Sequence, residues 1–268
     1  MRILAIGDPH GDIEKIKKIS LHGVDLILIT GDLGKADLLR KRSFENYKRK
    51  QKGMPEIKES AKDASDIYME VHNSTIRILK YLSKYAPVYT IKGNVGISNL
   101  SETNRINKKY GLRLPCTRKM IGKMHNVGLL ENRLRNFNGI RIGGLGYFID
   151  ISWVREFKPI KYAEKLKSAK RESAKAKRVL RNFDKLNILI CHQPPYGILD
   201  KVTAKFAPKN WRGRHAGSRV ILNCIKSKQP QYVFCGHIHE GKGMAKMGKT
   251  MIYNLGVCGH KFIEMREV

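Results

Sequence analysis

Seven short apolar runs punctuate the chain, and a polar cluster closes each of them. They fall at 2–7, 25–30, 88–92, 140–145, 187–191, 232–235 and 250–255. Most are unbroken Val, Ile and Leu, the pattern of strands covered on both faces. Between them the apolar positions change to helical spacing. Residues 13–21 carry Ile13, Ile16 and Ile19 at intervals of three, and 68–85 carry Val71, Ile76, Ile78, Leu79 and Leu82. Residues 218–227 offer Val220, Ile221, Leu222 and Ile225. Strands alternating with helices predict an α/β architecture.

Two segments break this rhythm. Residues 35–62 hold 10 Lys/Arg against 4 Asp/Glu, and 155–185 hold 12 against 4. The second is rich in Ala, Lys, Arg and Glu, which predicts a helix over 161–180 with a thin apolar stripe of Tyr162, Leu166, Ala169, Ala176 and Leu180. Such a helix is either a solvated one packed by an edge or an arm that faces nucleic acid. The chain is read as a single domain over 1–268, with basic helical insertions at about 35–85 and 155–185.

Composition sharpens the choice. The 268 residues are 41% hydrophobic and 28% charged, which is ordinary for a globular chain. The formal net charge of +30 is not ordinary, and it implies attraction to polyanions: nucleic acid, acidic lipid headgroups or phosphorylated substrates. No apolar run approaches the roughly 18 residues of a membrane span. The first run ends at once in Asp8-Pro9-His10-Gly11-Asp12, so no signal peptide is expected. The 5 cysteines lack CxxC spacing, which fits buried free thiols in a cytoplasmic protein.

The polar clusters that end the runs carry the chemistry. Asp8 and His10 follow the first, Asp32 the second, Asn94 the third, His192 the fifth, and His237 and His239 the sixth. Carboxyl ends of strands form the ligand crevice of α/β sheets. A mixed oxygen and nitrogen set suits divalent Mn, Fe, Co, Ni or Zn. Seven ligating side chains are too many for one ion and right for two that share a carboxylate. Taken singly none of these residues is distinctive; the ordered set is, because each member ends an apolar run.

That set resembles the calcineurin-like metallophosphoesterases, whose order is Asp-x-His, Gly-Asp, Gly-Asn, a single His, then Gly-His-x-His. Here it reads Asp8-Pro9-His10, Gly31-Asp32, Gly93-Asn94, His192 and Gly236-His237-Ile238-His239. The resemblance implies a four-layer αββα sandwich and a dinuclear centre. Asp8, His10 and His239 would hold one ion, Asn94, His192 and His237 the other, and Asp32 would bridge them. It implies hydrolysis of a phosphoester by a hydroxide bridging the two ions, which need a shared anion to sit close together. The segment Asn254-Leu255-Gly256 would correspond to the family's stretch after the last His, placing Tyr253 and Asn254 near the site.

One position departs from the pattern. Many members carry a His after Gly-Asn that protonates the leaving group; this chain has Val95. His215, in Gly213-Arg214-His215-Ala216-Gly217-Ser218, is a candidate substitute, so Asp32, Asn94 and His215 form the candidate catalytic set. Charge and motif together favour a phosphodiester or nucleic-acid-derived substrate. The alternatives are a nucleic-acid-binding protein on a phosphoesterase scaffold, or a small-molecule phosphomonoesterase.

Overall fold

The computed structural model describes residues 1–205 and 207–266. In chain order the elements are β1 (Arg2–Ile6), α1 (Ile13–Lys17), β2 (Leu26–Ile29), α2 (Asp37–Gln51), α3 (Ala61–Leu82), β3 (Val88–Thr90), α4 (Leu100–Tyr110) and α5 (Thr117–Ile121). They continue with β4 (Val127–Leu129), β5 (Arg133–Phe137), β6 (Ile140–Leu145), α6 (Ile151–Phe157), α7 (Tyr162–Arg181), β7 (Ile188–Cys191) and α8 (Arg219–Lys228). Four strands close the chain: β8 (Tyr232–Cys235), β9 (Gly243–Met247), β10 (Thr250–Asn254) and β11 (His260–Glu264).

The strands form two mixed sheets, in orders β11-β1-β2-β3-β4 and β5-β6-β7-β8-β10-β9. Because successive side chains of a strand point to opposite faces, each apolar run feeds two cores. Ile3 and Ala5 of β1 and Leu26 and Leu28 of β2 face Ile188, Ile190 and Phe234 of the other sheet. Their neighbours Leu4, Ile6, Ile27 and Ile29 turn outward onto Ile16 of α1 and Ile78, Leu79 and Leu82 of α3. On the far side Leu189, Cys191, Val233 and Cys235 meet Leu180 of α7 and Ile221 and Ile225 of α8. Helix, sheet, sheet, helix is therefore the layering, the four-layer sandwich that the family resemblance implies.

Helix boundaries follow local chemistry. The stripe that predicts a helix to residue 21 stops as helix at Lys17; Ile19 and Leu21 are buried from the turn that follows. At α3 the helix begins earlier than the periodicity suggests, because Ser60 and Asp63 form a reciprocal capping box. The two basic segments have different fates. α7 buries Ala169, Ser173, Ala176 and Leu180, while Lys170, Arg171, Lys175, Lys177 and Arg178 lie in solvent. α2 buries no residue at all. It is tied to α3 by Leu38 N–H donating to Glu70 (3.0 Å) and by the Arg42–Asp63 pair (2.9 Å). No helix among the described residues is long and apolar enough to cross a membrane.

Candidate metal centre

All seven predicted ligands come to one place, at the carboxyl ends where the two sheets meet. β1 delivers Asp8 and His10, β2 Asp32, β3 Asn94, β7 His192, and β8 His237 and His239. Three of these residues have left-handed backbones: His10 (φ 44), Asp32 (φ 36) and His237 (φ 64). Each costs about 1–3 kcal/mol in a residue with a Cβ, a strain found where function fixes a side chain. The glycines that precede the ligands make room for one another's partners. A Cβ on Gly93 would strike the Asp32 carboxylate, and one on Gly236 would strike that of Asp8.

One group of ligand atoms is Asp8, His10 and His239, and a second is Asp8, Asp32 and His192; within each, the atoms lie within 4.8 Å of one another. In the first, His239 Nε2 lies 3.3 Å from Asp8 Oδ2 and 3.3 Å from His10 Nε2. In the second, His192 Nδ1 lies 3.0 Å from the Thr30 carbonyl, which can only accept, so Nδ1 carries the proton. The Nε2 lone pair then faces two further acceptors, Asn94 Oδ1 at 2.7 Å and Asp32 Oδ1 at 3.6 Å. His237 Nδ1 lies 2.9 Å from the same Asn94 oxygen. Lone pairs converging on one point are what a cation satisfies. Asp32 stands between the groups, with Oδ1 toward His192 and Oδ2 3.9 Å from His10 Nε2. The donor set fits a dinuclear divalent metal centre.

Electrostatics agree with that reading. Burial raises the pKa of Asp32 to about 6, helped by the neighbouring Asp8 carboxylate. Burial also pushes His10 down to about 4 and His237 to about 3, keeping both rings neutral and able to ligate. Burial alone would raise Asp8, but the His192 ring and hydrogen bonds from His239, the His237 N–H and the Thr30 hydroxyl hold it far below the usual carboxylate range.

Val95, in place of the family His, still does a task here: its backbone N–H donates to Asp32 Oδ1 at 2.7 Å. His215 hydrogen-bonds to none of the seven and forms a dyad of its own. Its Nδ1 lies 2.7 Å from Oδ1 of buried Asp200, whose other oxygen accepts the N–H groups of Gly197 and Gly217. Tyr253 and Asn254 form no hydrogen bond to the seven. Tyr253 packs on Phe234, and the Asn254 amide donates to the Leu199 and Ile238 carbonyls, bracing the loop after the last ligand.

Three residues escaped the sequence analysis. Thr30 donates to Asp8 Oδ1 at 2.7 Å. Tyr147, just past β6, sets its ring 5.8 Å from His192 and 5.4 Å from His237; the strand-end rule that found the ligands also points to it. Burial, with Glu172 and Asp32 nearby, pushes its phenol up to about 12. Arg40, in the first turns of α2, lies with Nη2 3.0 Å from His10 Nδ1; nothing in a basic run marks one arginine as the one that reaches the centre.

A paired-sheet sandwich with such a centre at its strand ends defines an α/β protein built to hold two divalent cations. The chain belongs to the calcineurin-like phosphoesterase family, which it matches over residues 1–241. It is 36% identical over 72 residues to UPF0046 protein K07C11.7 of Caenorhabditis elegans, covering 27% of this chain and 22% of that protein. It is 38% identical over 74 residues to metallophosphoesterase domain-containing protein 1 of Homo sapiens, covering 27% and 21%. The match thus spans about a fifth of each relative. Among solved structures, one aligns over 98% of this chain and 94% of its own at TM-score 0.57 and 16% identity. Phosphopantetheinyl hydrolase (PptH) from Mycobacterium tuberculosis aligns over 95% and 88% at TM-score 0.51 and 13% identity. Both likenesses are of fold.

Proposed function

We propose that the protein hydrolyses phosphodiester bonds in nucleic-acid-derived substrates. In this reading Asp8, His10 and His239 would hold one cation, Asn94, His192 and His237 the other, and Asp32 would serve both. Two divalent cations there would supply Lewis acidity to the phosphoryl oxygens and an acidified water for attack.

The observation that carries the substrate class is Arg40, a guanidinium at the centre on a helix that buries nothing. Arg can only donate, so in its present contact it holds the His10 proton on Nε2. Ligation through Nε2 requires that proton on Nδ1, where Arg40 cannot donate. Arg40 is then released to pair with phosphate oxygens, the bidentate partner its planar fork suits. The exposed Lys and Arg of α2 and α7 draw in a polyanion. Asp200 accepts from His215 Nδ1, so the doubly protonated ring would present its Nε2–H to the departing oxygen and be left with its proton on Nδ1, a role closed to Val95. Five free thiols, four of them buried, suit the cytoplasm.

The test is a substrate panel on stripped protein reloaded with Mn²⁺, Ni²⁺ or Zn²⁺. Bis-p-nitrophenyl phosphate should turn over at least about tenfold more efficiently than p-nitrophenyl phosphate, and Arg40→Ala should raise KM for the diester. Preference for the monoester would instead favour a small-molecule phosphomonoesterase. Salt-sensitive binding of RNA or DNA with no metal-dependent turnover would favour a binding protein on this scaffold.

A further inference from the structure

A cavity of about 430 Å³ opens beside the centre, between α3, α4 and the loop that follows β3. Its size lies within the range of small-ligand sites, about 300–1,000 Å³. Asn94, one of the proposed ligands, forms part of its wall, and so does Val95. The remainder is mixed: Leu39, Ile67, Val71 and Ile106 supply apolar wall, and Glu59, Lys92, Glu102 and Arg105 bring charged groups to its rim.

Several polar groups in the wall already have partners. The Tyr68 hydroxyl donates to the Pro115 carbonyl at 2.7 Å, and Lys92 Nζ pairs with Glu102 Oε1 at 2.8 Å. Lys92 and Glu102 nevertheless place a donor and an acceptor at one side of the cavity. Apolar walls suit the faces of a planar ring, and a donor–acceptor pair suits its heteroatoms.

α2 joins the two halves. Leu39 lines the cavity, while the next residue, Arg40, reaches His10. Consecutive helical positions point about 100° apart, so one turn of α2 addresses both the cavity and the phosphate position.

We propose that this cavity receives a heteroaromatic base, so that the substrate is a nucleoside phosphoester with its base against Val95 and Leu39 and its phosphate at the centre. The proposal rests on the phosphodiester reading above and adds the identity of the organic group. It also gives Val95 a positive role: a small apolar side chain at this position leaves the cavity open toward Asn94.

Two measurements test it. The first uses metal-free protein with ¹³C-labelled isoleucine methyls, titrated with adenosine or with methyl ribofuranoside. Adenosine should shift Ile67, Ile97 and Ile106, and the sugar lacking a base should not. Absence of shifts with adenosine, or equal shifts with both probes, overturns the proposal. The second compares Mn²⁺-loaded wild type and Ile106→Trp on the p-nitrophenyl ester of thymidine 5′-phosphate and on methyl p-nitrophenyl phosphate. Wild type should prefer the nucleoside diester at least about tenfold, within what stacking of one base supplies, and Ile106→Trp should abolish the preference. Equal turnover of both diesters, unaffected by the variant, overturns the cavity proposal and leaves the phosphodiester reading standing. Turnover of neither overturns both.

Discussion

At the scale of single residues, the centre is a set of charges kept in place at a cost. With no metal bound, Asp32 has its pKa raised to about 6, so below its unfolded value the folded and unfolded chains are both protonated and it contributes nothing. As pH rises from about 4 through 6 the folded state holds a proton that the unfolded state has lost, and stability falls. Asp32→Asn should therefore stabilise metal-free protein at pH 7 by up to about 3 kcal/mol, and by little below pH 4. Chemical denaturation at both pH values checks this. The same variant should lose the second metal equivalent and nearly all turnover, read by elemental analysis after Mn²⁺ loading. His10 and His237 act with the opposite sign. Their folded pKa values are lowered, to about 4 and 3, so stability falls as pH drops below 6.5. Between pH 4 and 6 two histidines oppose one carboxylate, leaving a net stability slope of about 1.4 kcal/mol per pH unit. Melting curves of stripped protein across that window should show acid lability, and His237→Asn should flatten it. His215 is separable from all of this. Both His215→Ala and Asp200→Asn should slow hydrolysis of alkyl esters by about 10²–10⁴-fold and spare nitrophenyl esters, whose leaving group needs no proton. Equal losses on the two ester types would remove the acid role.

At the scale of elements, the sequence revealed some strands and hid others for a physical reason. The seven apolar runs became β1, β2, β3, β6, β7, β8 and β10. The four unanticipated strands are β4, β5, β9 and β11, and these are the four sheet edges. An edge strand has one neighbour and one open side, so it tolerates polar residues that an interior strand excludes. β5 (Arg133-Leu134-Arg135-Asn136-Phe137) and β11 (His260-Lys261-Phe262-Ile263-Glu264) show this directly. The candidate ligands were legible because each follows an interior strand. Arg40 and the cavity were not, because they depend on how α2 lies against α3. The same contrast separates the basic helices. Charge reversal at Lys48, Arg49 and Lys50 should leave the melting temperature within about 1 °C, since α2 buries nothing. Ala176→Glu in α7 should lower it sharply by placing a charge beside Leu180 and Phe183. Calorimetry on the two variants distinguishes a solvated helix from a helix of the outer layer.

At the scale of the whole molecule, the dominant quantity is the net charge of +30. If nucleic acid is the partner, phosphate contacts on α2 and α7 release condensed counterions, and log affinity should fall linearly with log salt. The charge reversals on α2, combined with Lys175, Lys177 and Arg178 reversed on α7, should reduce both affinity and that slope. Gel shifts between 50 and 300 mM salt on RNA and single-stranded DNA make the measurement. A flat response in the wild type would assign the charge to some other acidic partner.

α2 also bears on how such an enzyme can change. A helix that contributes Leu39 and Arg40 to the site yet nothing to the interior is released from the packing constraints that govern the rest of the chain. Under the proposed function, substitutions along it would alter what is recognised without taxing the fold, so specificity could drift while the proposed metal ligands, locked between two sheets, stand still. On that reading, selectivity and stability would be written on separate parts of one polypeptide.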